Sequence, residues 1–244
     1  MKQSLICILD ILGTKGIWTE HNIKEYFEII DEIESKLSES KVYFESIAKN
    51  HALKFDFVTF SDSLIVTLIN ENRYDYFFDE AIGPFSQLIL GIFQGYMANK
   101  FLLRGAISYG NIEKRGSHFI GPAVDDAAEY YEQQDMIGVC LTPKASIAME
   151  YSIEWNRQYK NINIDRFLIK YRTPLKSKVE MDLYQINYID HFFEPKKEGK
   201  QMDPFSTFCL FMRDRNIPTT AISKYNNSIA FFNHVKSIKH SAKR

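Results

Sequence analysis

The sequence predicts an α+β fold, a mostly antiparallel sheet with helices packed on one face. Three observations predict it. Short extended apolar runs exchange with longer helical ones in the order strand, helix, hairpin, helix, strand. The composition, 45% hydrophobic with 25% charged and 14% aromatic residues over 244 positions, suits a chain that buries a full core. Cross-links are not called for: Cys7, Cys140 and Cys209 are odd in number, far apart and set among apolar neighbours, as buried thiols in a reducing cytosol would be.

The elements follow in chain order. Leu5 to Leu9 is an unbroken aliphatic run ending at Asp10, with Gly13 and Gly16 beyond, which reads as a buried strand entering a tight turn. Asn22 with Glu25 resembles a capping box, and Ile23, Phe27, Ile30, Ile33 and Leu37 repeat on one helical face. Leu53, Phe55 and Phe57 alternate with Lys54 and Asp56, and Leu64 to Leu68 is extended again, so Asp62 falls at the tip of a hairpin. Tyr74 to Lys100 is a second long helix, bent or broken near Gly83 and Pro84. Phe101 to Ser108 returns as a strand holding one charge, Arg104, before Tyr109 and Gly110 turn the chain.

Gly121 and Pro122 open a helix over Ala123 to Gln134, Val139 to Leu141 is a strand, and Pro143 starts a short helix. Ile164 to Tyr171 and Leu183 to Asn187 are the last strands. Pro195 to Lys200 reads as a linker, followed by two helical patterns, the second entering at Pro218. The expected organisation is a domain over 1–195 and a helical extension over 196–244. The first five elements have the order of a ferredoxin-like core.

With 30 Lys plus Arg against 31 Asp plus Glu, no broad basic surface for duplex nucleic acid is expected. Leu5 to Leu9 is too short for the core of a signal peptide, and Ala81 to Met97 is interrupted by Gly83, Pro84, Gly91 and Gly95, so neither is expected to enter a membrane. The expectation is a cytoplasmic protein.

Two acids carry the chemical interest. Asp10 ends an apolar strand, where a carboxylate is costly to bury unless something positive meets it. Asp62 tips the hairpin that a ferredoxin-like core places beside that strand, so the two can converge on a hard divalent cation whose shell is completed by substrate phosphates. The competing reading is structural, since Asp is a common turn former and Ser-Asp-Ser a common hairpin loop. Arg104 either grips phosphate oxygens with its planar fork or pairs with a core carboxylate. Lys170, Arg172, Lys176 and Lys178 form a basic run that serves either a phosphate or a solvated strand edge. His21, His51, His191, His234 and His240 have no metal-ligand spacing.

Ile8-Leu9-Asp10-Ile11-Leu12-Gly13-Thr14 resembles the first-strand signature of class III nucleotidyl cyclases. Phe60-Ser61-Asp62-Ser63 is similar to their metal-binding hairpin, with Ser61 replacing the usual Gly. Leu103-Arg104-Gly105-Ala106-Ile107 resembles their Arg-x-Gly-Ile strand, and Gly121-Pro122-Ala123-Val124-Asp125-Asp126-Ala127 their Gly-x-x-Val-Asn-x-Ala helix start. Within that family the combination is most similar to the pyrimidine cyclases of bacterial Pycsar anti-phage systems, which make cyclic UMP or cyclic CMP.

The resemblance implies a class III cyclase fold and a homodimer with active sites at the interface. It implies two Mn²⁺ or Mg²⁺ ions held by Asp10, the Ile11 carbonyl and Asp62, with Gly13 near the triphosphate and Arg104 on it. A late-strand lysine, for which Lys170 is the candidate, would join them on the triphosphate. Phe57, Val58 and His118 are implied at the base, where Val58 and His118 replace the residues that read a purine. Asp125 stands where the family places a transition-state Asn, and Glu129 where it places an Arg. Those two departures also keep open a catalytically degenerate nucleotide-binding domain; a palm-type synthase of cyclic oligonucleotides is a further alternative.

Overall fold

In the computed structural model, residues 1–12, 20–47, 53–99, 101–159, 166–193, 203–213 and 221–241 are described. The sheet is built around β1 (Lys2–Ile11), which pairs antiparallel with β3 (Ser63–Asn70) on one side and β4 (Leu103–Arg115) on the other. β2 (Leu53–Phe60) forms the hairpin with β3. Beyond β4 come β6 (Gly138–Leu141), β8 (Glu180–Ile186) and β7 (Leu168–Pro174), giving the order β2-β3-β1-β4-β6-β8-β7. β4 and β6 run parallel and the other neighbours antiparallel, while β5 (His118–Ile120) folds back on the end of β4. The α+β class and the ferredoxin-like order of the first four strands are as the sequence predicts.

Helices cover both faces of the sheet, not one. Leu5, Cys7, Leu9 and Ile11 share a core with α1 (Glu20–Ile47) and α2 (Phe77–Ala98). Ile6 and Ile8 instead meet Ala123 and Ala127 of α3 (Pro122–Gln133). Successive side chains of a strand point to opposite faces, so a strand apolar at every position is one covered twice. The unbroken run of β1 carries that signature.

Other boundaries move for local reasons. On α1 the buried stripe is Tyr26, Ile29, Ile30, Ile33, Leu37 and Phe44, while Ile23 and Phe27 are exposed. Phe27 stands one residue, about 100°, round the helix from Tyr26. α2 is continuous across Gly83 and Pro84, and buried residues on both sides of the proline, Phe77 to Ile82 and then Phe85 to Met97, hold its two halves to one core. β4 runs through Tyr109 and Gly110 and turns only at Gly116, whose φ is 58°. Gly110 is there for space: a Cβ on it would lie 2.9 Å from Lys144 Nζ and 3.4 Å from Ala123 Cβ, so its bareness lets α3 close on the strand. α4 (Pro143–Tyr159) is a full 17-residue helix, longer than expected. The proposed turn glycines Gly13 and Gly16, the linker over 195–200 and Pro218 lie outside the described residues.

A 3-10 turn, Tyr188–Phe193, leads toward α5 (Pro204–Arg213) and α6 (Ile222–Ser241), which belong to the same core as the sheet. Phe208 stacks on Phe232 with centroids 4.9 Å apart, Tyr171 of β7 meets Phe231 at 4.9 Å, and Phe208, Phe231, Phe232 and Val235 are all fully buried. Cys7 and Cys140 are buried free thiols, and burial pushes the Cys140 thiol up to about 12. Among the described residues no helix is long and apolar enough to cross a membrane.

Phe232→Ala removes a ring from a fully packed site and is expected to cost about 3–5 kcal/mol. The urea unfolding transition of the whole chain should move to lower denaturant with its slope unchanged. A main transition left in place would mark the C-terminal helices as a separate unit.

Candidate functional site

At the end of β1 the register sets Asp10 opposite Ser63 of β3 and opposite Arg104 of β4. Directly opposite residues share a face of the sheet, so this row projects toward the α3 side. Arg104 donates from Nε at 3.0 Å and from Nη2 at 2.9 Å, both to Asp10 Oδ2. The other oxygen, Oδ1, has the Ser63 hydroxyl at 3.4 Å. The two charged side chains are 16% and 15% exposed, which leaves this pair reachable from solvent yet largely out of it. The Tyr131 ring of α3 stands 5.3 Å from Arg104 Cζ and backs the guanidinium with its π face.

The hairpin tip is fastened to the same strand end. Ile11 N–H donates to the Asp62 carbonyl at 3.1 Å, so the backbones of the two acids lie one hydrogen bond apart. In a strand the N–H and C=O of one residue leave on the same edge; the Ile11 carbonyl therefore faces the tip as well. Ser61 takes a φ of 56°, the left-handed conformation that glycine adopts most cheaply, at the position where the resembled hairpin carries Gly. The Tyr26 hydroxyl of α1 donates to the Ser61 carbonyl at 2.8 Å. Burial, and after it the negative charge of Asp62, pushes the Tyr26 phenol up to about 12. Asp10 is thus turned to Arg104, and Asp62 acts on Tyr26.

The remaining predicted residues divide. Val58 is opposite Ile65, itself opposite Ile8, so it lies on the face of Asp10 in the adjoining row. Phe57 is on the other face, 6.4 Å from Phe55, which stacks on Phe44 of α1 at 5.4 Å; its ring serves the core. His118 is exposed on β5 opposite Arg115, eleven residues along β4 from Arg104, roughly 35 Å at the usual rise. Asp125 is exposed in the first turn of α3, whose other end carries Tyr131; Glu129 is exposed too. Lys170 is exposed on the edge strand β7, ion-paired with Glu150, and that carboxylate raises its ammonium pKa. Gly13 lies outside the described residues.

Within one chain, then, Asp10 and Arg104 meet side chain to side chain with Val58 adjacent on their face, Ile11 and Asp62 meet through the backbone while the Asp62 carboxylate acts on Tyr26, and His118, Asp125 and Lys170 do not join them. Lys176, exposed in the turn after β7, is the residue of that basic run whose charge is felt by Arg104. Its backbone N–H is bound at 2.7 Å to the Gln133 carbonyl at the end of α3. Its ammonium pKa is lowered by burial, then by repulsion from Arg104 and Lys224. Sequence reasoning also missed Tyr26 and Tyr131. Tyr131 follows Ala123 and Ala127 at a spacing of four, a helical stripe that was available as a signal.

The side chains of Asp10 and Asp62 and the Ile11 carbonyl offer oxygen atoms, the donor type that a hard divalent ion takes. Among the described residues no group of three or more His, Cys, Asp or Glu side chains is placed to hold a metal.

No protein-family model matches the chain, and no curated protein matches it in sequence. Solved structures similar to it in outline include the catalytic core of a rhodopsin-guanylyl cyclase with converted specificity in complex with ATPαS, at 12% identity and a TM-score of 0.44 over 76% of this chain and 96% of that one. The guanylate cyclase domain from Catenaria anguillulae in complex with GTP gives 11% identity, a TM-score of 0.41 and the same coverages. An adenylate/guanylate cyclase/hydrolase from Silicibacter pomeroyi gives 12%, 0.42 and the same coverages again.

Asp62→Asn should lower the pH at which Tyr26 ionises while leaving it above the ordinary tyrosine range, because burial, the larger cause, remains. Phenolate absorbance during an alkaline titration reads this, with Tyr26→Phe identifying the component. The native state holds that proton more tightly than the unfolded chain, so the associated stability is complete below pH 10 and is lost as pH rises toward about 12. An unmoved Tyr26 would place the Asp62 carboxylate elsewhere.

Proposed function

We propose that the chain is a nucleotidyl cyclase, converting a nucleoside triphosphate into its 3',5'-cyclic monophosphate and pyrophosphate. The observation that supports this reading is the pair of Asp10 and Arg104 at the end of β1, with the backbone of Asp62 at the hairpin tip hydrogen-bonded to Ile11 beside it. In the reaction the ribose 3'-oxygen forms a bond to the α-phosphorus as the bond to the bridging oxygen breaks; pyrophosphate leaves with that electron pair and the hydroxyl proton passes to solvent. Two Mn²⁺ or Mg²⁺ ions, when bound, lower the pKa of the attacking hydroxyl and neutralise charge on the leaving group. Asp10, Ile11 and Asp62 hold them in this reading, while Arg104 and Lys176 supply cations for the phosphates.

The finer assignment rests on the likeness of motifs to pyrimidine cyclases. Val58, with Ile65 and Ile8 in its row, offers an apolar surface and no charged group where a purine reader would stand. UTP or CTP is then the substrate, and cyclic UMP or cyclic CMP a second messenger in cytoplasmic anti-phage defence. His118 and Asp125 sit at the remote end of β4 and α3, so they reach a nucleotide beside Asp10 only from a second copy. A head-to-tail homodimer with shared sites meets that requirement. The alternative, a nucleotide-binding domain without turnover, is favoured by one specific observation, the acids Asp125 and Glu129 exposed on α3.

Incubated with each of four nucleoside triphosphates and Mn²⁺, the protein should yield cyclic UMP or cyclic CMP with pyrophosphate, and Asp62→Ala should yield none. Nucleotide binding without product selects the silent domain, and products longer than one nucleotide select an oligonucleotide synthase. Lys176→Ala should lower kcat/KM by roughly 10- to 100-fold, the value of one charge-assisted phosphate contact, whereas Lys170→Ala should leave it unchanged. The reverse order would return the phosphate role to Lys170.

A further inference from the structure

The geometry points to Arg104 and the divalent ion being alternative partners of Asp10, so that Arg104 sets the metal affinity of the site as well as meeting phosphate; this inference rests on the cyclase reading above. Two of the guanidinium's donors converge on a single carboxylate oxygen, Oδ2, at 3.0 and 2.9 Å. Among the described residues Oδ1 has only the long approach of the Ser63 hydroxyl at 3.4 Å. A carboxylate bound in this way presents one unencumbered oxygen, and any dication placed on it lies within a few ångströms of a fixed positive charge. The Tyr131 ring behind the guanidinium holds that charge in place.

Among the described residues Arg104 is the cation paired with the Asp10 carboxylate, which is 15% exposed at the end of an apolar strand. With Arg104 the Asp10 carboxylate is already neutralised when the site is empty, and an ion arriving on it is opposed by the guanidinium until that charge moves away. The displaced guanidinium then needs an anion, and the phosphates of an incoming nucleotide supply one. Metal and nucleotide therefore assist each other through a single side chain that changes partner, and coupling of this kind is reciprocal. Arg104 acts toward the metal as a positioning residue, through Asp10. A purely structural ion pair would stabilise the fold and leave no such coupling.

The test is direct Mn²⁺ binding, read from the electron paramagnetic resonance signal of the free ion in the absence of nucleotide. Arg104→Met keeps a side chain against Tyr131 and removes the charge; it is expected to bind Mn²⁺ about tenfold more tightly than wild type, within the usual range of coupling. Arg104→Lys should fall between the two. Adding the non-cyclising analogue α,β-methylene UTP should tighten Mn²⁺ binding in wild type and have a smaller effect in Arg104→Met. Thermal unfolding covers the case in which the variant is unstable: Mn²⁺ should raise the Tm of Arg104→Met more than that of wild type, and Asp10→Asn should show no Mn²⁺ response.

Equal or weaker Mn²⁺ affinity in Arg104→Met, with equal or smaller thermal protection, overturns the exchange. A wild-type protein that makes cyclic nucleotide while its Arg104→Met variant shows unaltered Mn²⁺ affinity refutes this inference alone. Tighter Mn²⁺ binding by the variant of a protein that makes no cyclic nucleotide sustains the exchange and refutes the cyclase reading.

Discussion

Burial of β1 on both faces is the constraint from which the rest of the site follows. The side-chain period of a strand is two, so a slip of one residue would carry every side chain to the opposite face. In β1 that slip would exchange Ile6, Ile8 and Asp10 with Leu5, Cys7, Leu9 and Ile11. Asp10 would then face the core built with α1 and α2, away from Arg104, and the cost of an uncompensated buried charge would fall on that register alone. Two apolar faces and one charge therefore select the same alignment, and this alignment sets Asp10 between Ser63 and Arg104.

The helices on the two faces complete opposite halves of the site. From the α1 side, Tyr26 fixes the hairpin tip through the Ser61 carbonyl. From the α3 side, Tyr131 backs the Arg104 guanidinium. A helix layer on one face only would leave one of these supports missing. Gly105 allows the close packing between them, because a Cβ there would lie 2.6 Å from the Ile8 carbonyl oxygen, beside the residue that carries the site's charge. Side-chain bulk is excluded where Gly105 of β4 stands opposite Leu9 of β1.

What could be read from the sequence follows the range of the interaction involved. Asp10, Asp62 and Arg104 were legible because each breaks a short, strong local pattern: a charge ending an apolar run, an acid between two extended runs, a lone arginine inside a strand. The ferredoxin-like order was legible for the same reason. The second helix layer was written in the unbroken run of β1, but a fully buried strand and one face of a sheet look alike until the covering helix is known. Gly110 read as a turn because glycine's backbone freedom and its small volume leave the same mark in a sequence; here volume is the reason. Phe57 and Val58 are neighbours on opposite faces, so only one of them could lie beside Asp10, and register made it Val58.

Lys170 and Lys176 show where sequence proximity fails, and they tie the C-terminal helices to the site. The basic run crosses from the edge strand β7 into the turn after it, and position in that run is no guide to what each ammonium meets. Lys176 is held at the end of α3 by the segment that closes that helix: Gln134 bridges to Leu175, Gln133 accepts from Lys176 N–H, and Asp135 N–H donates to the Pro174 carbonyl at 3.0 Å. That segment is clamped in turn by α6, through Asn227 Nδ2 on the Asp135 carbonyl at 2.6 Å, Lys224 on the Asp135 carboxylate at 3.4 Å, and Ser228 Oγ accepting from Ile137 N–H at 3.0 Å. Lys224 also adds to the repulsion that lowers the Lys176 pKa, so pairing with Asp135 moderates a charge that would otherwise push on Lys176. The aromatic packing of Phe231 and Phe232 is thus linked, through one short segment, to the backbone of Lys176 and to the end of α3 that carries Tyr131 over the guanidinium.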